Sequence, residues 1–238
     1  MLAFASIGHA QAAAERSNDE LHPALVMSGR SWIYLRDARL GDSLRLAEKA
    51  AADIEPRFST ATPEQLTVYG SHINFAAVVA SRMQNKDLVK DYLAQSNATG
   101  ARMGNEHRAH GTLFGPVTAV TQAVGIAVAL GQTGKALDLI HDISDESLGV
   151  LTEAARSRFA MDKAMAQADA KLYDASLETL EQALVKAPTW ARHQALPGVI
   201  VQKVGRASTA RLRRVSALIG VRPGMDNGFA TAAAKTAL

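Results

Sequence analysis

Apolar positions recur along this chain at helical spacing, in segments that come in pairs. Over residues 114–143, Val117, Val120, Val124 and Val128 fall on one face of a helix. Gly131-Gln132-Thr133-Gly134 then breaks the pattern, and Ala136, Leu137, Ile140 and Ile143 start a second face. This predicts two helices joined by a tight turn. Such a pair cannot bury its stripes alone, so it needs neighbours of the same kind.

The chain supplies them. A first helix is predicted over about 1–17. A first full pair opens at Pro23, turns at Leu40-Gly41-Asp42 with Asp42 or Ser43 as the cap, and stops before Pro56. A second opens at Thr62-Pro63-Glu64-Gln65, which matches a capping box, and turns at Gln84-Asn85-Lys86. Residues 97–115 read as a helix end and a loop, and 142–148 as an acidic linker. A fourth pair spans about 152–187, with Tyr173, Leu177, Leu180 and Leu184 on one face and Pro188 as its stop. A fifth covers 189–204 and 208–221. Its inner face is Leu212, Val215 and Ile219, and Pro197-Gly198 is expected to kink or shorten its first helix. Residues 223–238 read as a weakly ordered tail behind a single helical-repeat domain over 1–222.

Leu44, Leu88, Ala136 and Ser176 open the second helices, at spacings of 44, 48 and 40 residues. That exceeds the ~34 residues of a tetratricopeptide repeat and lies near the ~40–47 of other helical repeats. In the fourth unit Tyr173, Ser176, Leu180, Ala183 and Pro188 nevertheless fit the tetratricopeptide pattern. The expected fold is all-α, a tetratricopeptide-like right-handed superhelix of antiparallel helix pairs.

Composition supports helices and narrows the chemistry. Aromatics are only 5% while hydrophobic residues reach 47%, which disfavours a β-sandwich. With no cysteine, disulfides, cysteine-ligated zinc and thiol catalysis are excluded. The net charge of +3 conceals an asymmetry. Residues 182–225 hold eight Lys or Arg (Lys186, Arg192, Lys203, Arg206, Arg211, Arg213, Arg214 and Arg222) and no Asp or Glu, leaving 18 basic against 23 acidic residues elsewhere. No apolar run approaches the ~18 residues of a membrane span. The first 17 residues imitate a signal peptide but lack a basic start, so a cytoplasmic location is expected.

Motifs suggestive of catalysis dissolve on inspection. Gly131-Gln132-Thr133-Gly134-Lys135 follows a helix and lacks the spacing of a phosphate loop. Ser71 and His72 are adjacent, so on a helix they point ~100° apart and cannot act on each other. His107 and His110, in Glu106-His107-Arg108-Ala109-His110, could share a metal if a third ligand arrived from elsewhere, but loop histidines are commonly just polar. Arg211, Arg213 and Arg214 read as a solvated face, or as a contact with phosphate or an acidic partner. No enzyme, cofactor or metal is expected.

Leu113 to Pro116 (LFGP), Ala127 to Leu137 (AVALGQTGKAL), Ala183 to Leu196 (ALVKAPTWARHQAL) and Leu212 to Val221 (LRRVSALIGV) carry a resemblance. Over roughly residues 15–222 the chain resembles the C-terminal helical-repeat region of actinobacterial XRE-type helix-turn-helix regulators. The resemblance implies a sensor or dimerisation region behind a DNA-binding head. No helix-turn-helix sequence precedes residue 1, so DNA contact is expected only through a domain outside this chain. In a right-handed array the first helices line the concave groove. Arg30, Tyr34, His72, Asn74, Gln122 and Arg156 are the candidates there, with His107 and Phe114 at the mouth of the third pair. Two readings stand: a regulatory module sensing a peptide or small molecule in that groove, or a constitutive protein-binding or dimerisation scaffold. A homodimer is expected in either.

Overall fold

The computed structural model describes residues 2–191, 193–205 and 210–221. Among these are thirteen helices and one two-stranded antiparallel hairpin, so the all-α expectation holds. The chain forms two compact units, residues 1–120 and 121–238, where the sequence reading has one continuous domain. The expectation of a loose tail over 223–238 lies outside the described residues, as do Arg192, Arg206 and Arg222.

The first unit contains α1 (Leu2–Ala14), α2 (His22–Arg36), α3 (Leu40–Asp53), α4 (Pro63–Arg82), α5 (Lys86–Met103) and the hairpin β1 (His107–Ala109) and β2 (Thr112–Phe114). Helix α4 is its axis. It packs against α2, α3, α5 and both strands. Its residues are buried almost all round, including Leu66, Val68, Ile73, Phe75 and Val79, as expected of a helix inside a core. Its start is the capping box read from sequence. Gln65 N–H donates to Thr62 Oγ1 at 3.2 Å, and Thr62 N–H donates to Gln65 Oε1 at 3.0 Å. Thr62→Ala is expected to lower stability by about 1 kcal/mol, read as a shifted urea midpoint at constant m-value.

The strands were not foreseen. Residues 97–115 read as a helix end and a loop, and α5 does run to Met103, but three-residue strands show too little alternation to register. Their hairpin serves the next helix, α6 (Pro116–Ala129). Glu106, just before β1, accepts from the N–H groups of Val117 at 2.8 Å and Thr118 at 3.0 Å, covering otherwise unpaired donors of the first turn. A Cβ on Gly115 would lie 2.6 Å from Glu106 Oε1, so this contact requires glycine there. The Phe-Gly-Pro segment thus has a local cause: a core ring, a residue without Cβ, and a proline in the first helical turn.

Helix α6 carries the chain into the second unit, with α7 (Thr133–His141), α8 (Asp145–Leu148), α9 (Glu153–Asp169), α10 (Tyr173–Lys186), α11 (Pro188–Ala191), α12 (Leu196–Val204) and α13 (Ala210–Ile219). One core joins Met161 and Met165 of α9, Leu177, Leu180 and Leu184 of α10, Ile200 and Val204 of α12, and Leu212 and Val215 of α13. The faces expected for α10 and α13 are therefore the buried ones. Arg211 and Arg214 reach Glu181 on α10 at 3.2 and 3.0 Å, and Arg214 foremost holds that carboxyl below its usual range. Two of the three clustered arginines thus tie α13 to α10. The helix expected over 189–204 is shortened to α12, which Pro197 opens because its missing N–H is harmless in a first turn.

Among the described residues the same turn joins four pairs of helices, and it also closes α13 at Gly220, where Val221 N–H donates to Ser216 O at 2.9 Å. Ala38, Gln84, Gly131 and Lys171 each adopt a positive φ of 56–68° directly after a helix. The following residue then donates back to the carbonyl five positions earlier: Arg39 to Tyr34, Asn85 to Ala80, Gln132 to Ala127 and Leu172 to Gln167, at 2.8–3.1 Å. This six-to-one bond is the Schellman closure. The turns follow one another at 46, 47 and 40 residues. The first falls at Ala38 rather than at Gly41, which lies inside α3. Asp42 therefore caps nothing and pairs with Arg39 and Arg45, which hold its carboxyl below its usual range. Ser43 is buried and donates to Ser31 O at 2.9 Å, tying α3 to α2.

Candidate functional site

Within the first unit the candidate groove residues do not converge on one groove. On α2, Arg30 reaches Gln11 of α1 at 3.5 Å, and Tyr34 lies between the Phe4 ring, 5.6 Å away, and the Arg39 guanidinium, 4.2 Å from its centroid. On α4, His72 is buried, its ring held between the carbonyls of Ala24 at 2.9 Å and Val68 at 2.7 Å. Asn74 is buried and accepts from Ser96 Oγ at 2.6 Å. Phe114 is fully buried against α4. His107 lies 3.1 Å from Thr67 Oγ1. Gln122 and Arg156 belong to the second unit, where Arg156 donates to Gly149 O at 3.4 Å. His72 and Asn74 on α4 and Phe114 on β2 therefore tie elements together instead of facing a groove, because α4 is buried over most of its surface.

An open cleft in the first unit lies elsewhere, across α3, α4 and α5, with a volume of about 450 Å³. Tyr69, Ile73 and Ala76 of α4 contribute one part of its lining. Glu48, Ala51 and Ala52 of α3 form one wall with Glu55 just beyond it, and Tyr92, Gln95 and Ala98 of α5 form the other. Phe58, from the connection between α3 and α4, stands at the rim with its ring edge-on to Tyr69 at 5.9 Å. The hollow exists because Ala51, Ala52, Ala76 and Ala98 place small side chains where three helices meet.

The cleft is acidic and aromatic, with no basic residue in its lining. Tyr92 donates its hydroxyl to Glu48 Oε1. Burial first, and then this bond to a carboxylate, push the Tyr92 phenol far above its usual range. Burial, with the charge of Glu55 added, raises Tyr69 in the same direction. Both phenols therefore stay protonated near neutrality, and both carboxylates face one cavity with aromatic rings beside them. That chemistry suits a cation: carboxylates take its N–H groups, and ring faces take its charge. It offers no nucleophile and base pair. These residues escaped sequence reading because Glu48 and Glu55 look like ordinary solvated positions and the tyrosines like core. The one available signal was alanine at corresponding places on three helices.

A second cleft of about 470 Å³ lies in the second unit, lined by Glu153 and Ala154, by Lys186 and Ala187, and by Pro188 to Trp190. Among the described residues no helix is long and apolar enough to cross a membrane. Comparison with protein-family models, curated proteins and solved structures finds no match.

Proposed function

We propose that this chain is a ligand-sensing, tetratricopeptide-like module of a transcriptional regulator, and that its first unit binds a cationic group, either an organic amine or a basic side chain of a peptide. The observation that carries this reading is the Glu48–Glu55 cleft with its aromatic lining. The recurring Schellman turn and the resemblance to the repeat region of XRE-type regulators support the sensor role. DNA contact would come from a domain or partner outside this chain, and the location would be cytoplasmic. The reading departs from a groove on the first helices, where the basic Arg30 and Arg156 were the charged candidates.

A scaffold without a small ligand would need a joined apolar surface. The exposed Leu172 and Val185 stand at opposite ends of α10 and on roughly opposite sides of it, which disfavours a single stripe there.

The test is a calorimetric titration of the full chain with a Lys/Arg-rich peptide pool and a set of polyamines, beside a matched Asp/Glu-rich pool. Cationic probes are expected to bind, more weakly as salt rises. Glu55→Gln is expected to weaken that binding about tenfold, the loss of one charge-assisted hydrogen bond. Binding of the acidic pool instead, or indifference to Glu55→Gln, would sink the proposal.

A further inference from the structure

His110 is set apart from His107. It sits with Gly111 at the tip of the hairpin, both at positive φ (47° and 76°), between the paired Ala109 and Thr112. That is the φ signature of a two-residue type I′ turn, which favours Asn-Gly. The tip carries the His110 imidazole to the segment between α1 and α2. Its Nε2 lies 3.7 Å from Asp19 Oδ2 and 3.6 Å from Glu64 Oε1. His22 Nε2 lies 3.4 Å from the same Asp19 oxygen, and the two imidazoles meet edge to face at 5.4 Å.

We propose that Asp19, His22 and His110 form a binding site for a divalent transition-metal ion of the zinc type, with Glu64 able to close the fourth position. The donor atoms of the first three all lie within 4.8 Å of one another. Tetrahedral zinc, with bonds of ~2.0–2.1 Å, needs donors about 3.3–3.4 Å apart. The imidazole-to-carboxylate spacings of 3.4–3.7 Å match this or exceed it by a few tenths, and the separation of the two imidazole donors is within 4.8 Å, so small rotamer shifts would close the site. Supporting bonds orient the donors. Ser17 Oγ accepts from the Asp19 N–H at 3.2 Å and lies 2.8 Å from His22 Nδ1. With His22 donating from Nδ1, its Nε2 lone pair is left for a metal. Leu21 N–H donates to Asp19 Oδ1 at 2.9 Å, which leaves Oδ2 turned toward the histidines. A hydrogen bond behind His22 and another behind Asp19 are the arrangement that fixes metal-binding imidazoles and carboxylates. Two imidazoles with carboxylates select zinc, cobalt or nickel over calcium and magnesium, which prefer oxygen alone. A bound ion would join the start of α2, the hairpin tip and the first turn of α4.

The experiment is a zinc titration of the full chain, free of any histidine tag, against a chromophoric chelator, repeated with cobalt to read its ligand-field absorption. One zinc per chain is expected, with the visible bands of four-coordinate cobalt. His110→Asn supplies the residue a type I′ turn prefers, so the fold is retained while affinity falls at least about 100-fold, more than loss of a supporting bond alone. Asp19→Asn is expected to act in the same direction, and His141→Asn, at an exposed position outside the cluster, to change nothing. Failure of the unaltered chain to compete for zinc would overturn the site. So would zinc affinity that survives both His110→Asn and Asp19→Asn, or that is lost with His141→Asn.

Discussion

Phe114→Ala is expected to lower the unfolding free energy by about 3–5 kcal/mol, as for other buried aromatic truncations. The side chain is fully buried although it stands on a strand of three residues. Its ring lies against the backbone of Gly70 on α4, so close that a Cβ there would come within 2.2 Å of a ring carbon. Gly70→Ala should therefore destabilise as well, by about 1–3 kcal/mol through overpacking. The two effects are coupled. Once the ring is gone, the added methyl has room, and alanine is the better helix former by about 1 kcal/mol. Gly70→Ala is then expected to turn neutral or stabilising in the Phe114→Ala background. Urea denaturation of the two single variants and the double variant reads this directly. An equal cost for Gly70→Ala in both backgrounds would mean that the ring does not rest on this glycine.

In the second unit, Leu180→Ala is expected to cost about 2–5 kcal/mol. Leu180 lies in the centre of the α10 stripe between Leu177 and Leu184, and none of its surface reaches solvent. It packs within a core drawn from α9, α12 and α13, which limits how far the site can collapse around the hole. The control is on the same helix. Val185 is 63% exposed, so Val185→Ala is expected to stay within about 0.5 kcal/mol. Similar losses for the two substitutions would contradict the orientation of α10. Thermal and urea midpoints, measured with both far- and near-ultraviolet circular dichroism, separate loss of packing from loss of helix.

Much of the helical plan was legible residue by residue. The capping box at Thr62 and Gln65, the α10 stripe and the inner face of α13 all rest on local chemistry, and each is where the pattern placed it. The turn after α2 was not legible, because glycine at position 41 is the stronger local signal and alanine at 38 gives none. Only closure of α2 onto α3, with Ser31 and Ser43 bonded across the pair, makes the left-handed conformation at Ala38 worth its strain. The candidate site was less legible still. His72 and Asn74 carry polar groups suited to a ligand, yet their partners are Ala24, Val68 and Ser96, contacts between helices that no local pattern announces.

By itself the sequence determined most of the longer helices and, for the strongest stripes, which side of each is apolar; the short α8, inside the expected acidic linker, was not among them. Hydrophobic period, proline and capping residues act over a few positions, and a few positions are enough to read them. The tertiary structure decided how helices are enclosed and what their gaps contain. Burial of most of α4 turned His72 and Asn74 inward, while alanines on α3, α4 and α5 opened a cleft between Glu48, Glu55 and the two tyrosines. The hairpin tip brought His110 to Asp19 and His22, some ninety positions away in the chain. Such meetings depend on the rotation and register of each helix against its neighbours, quantities that a periodic pattern leaves open by about a residue and that packing in three dimensions resolves.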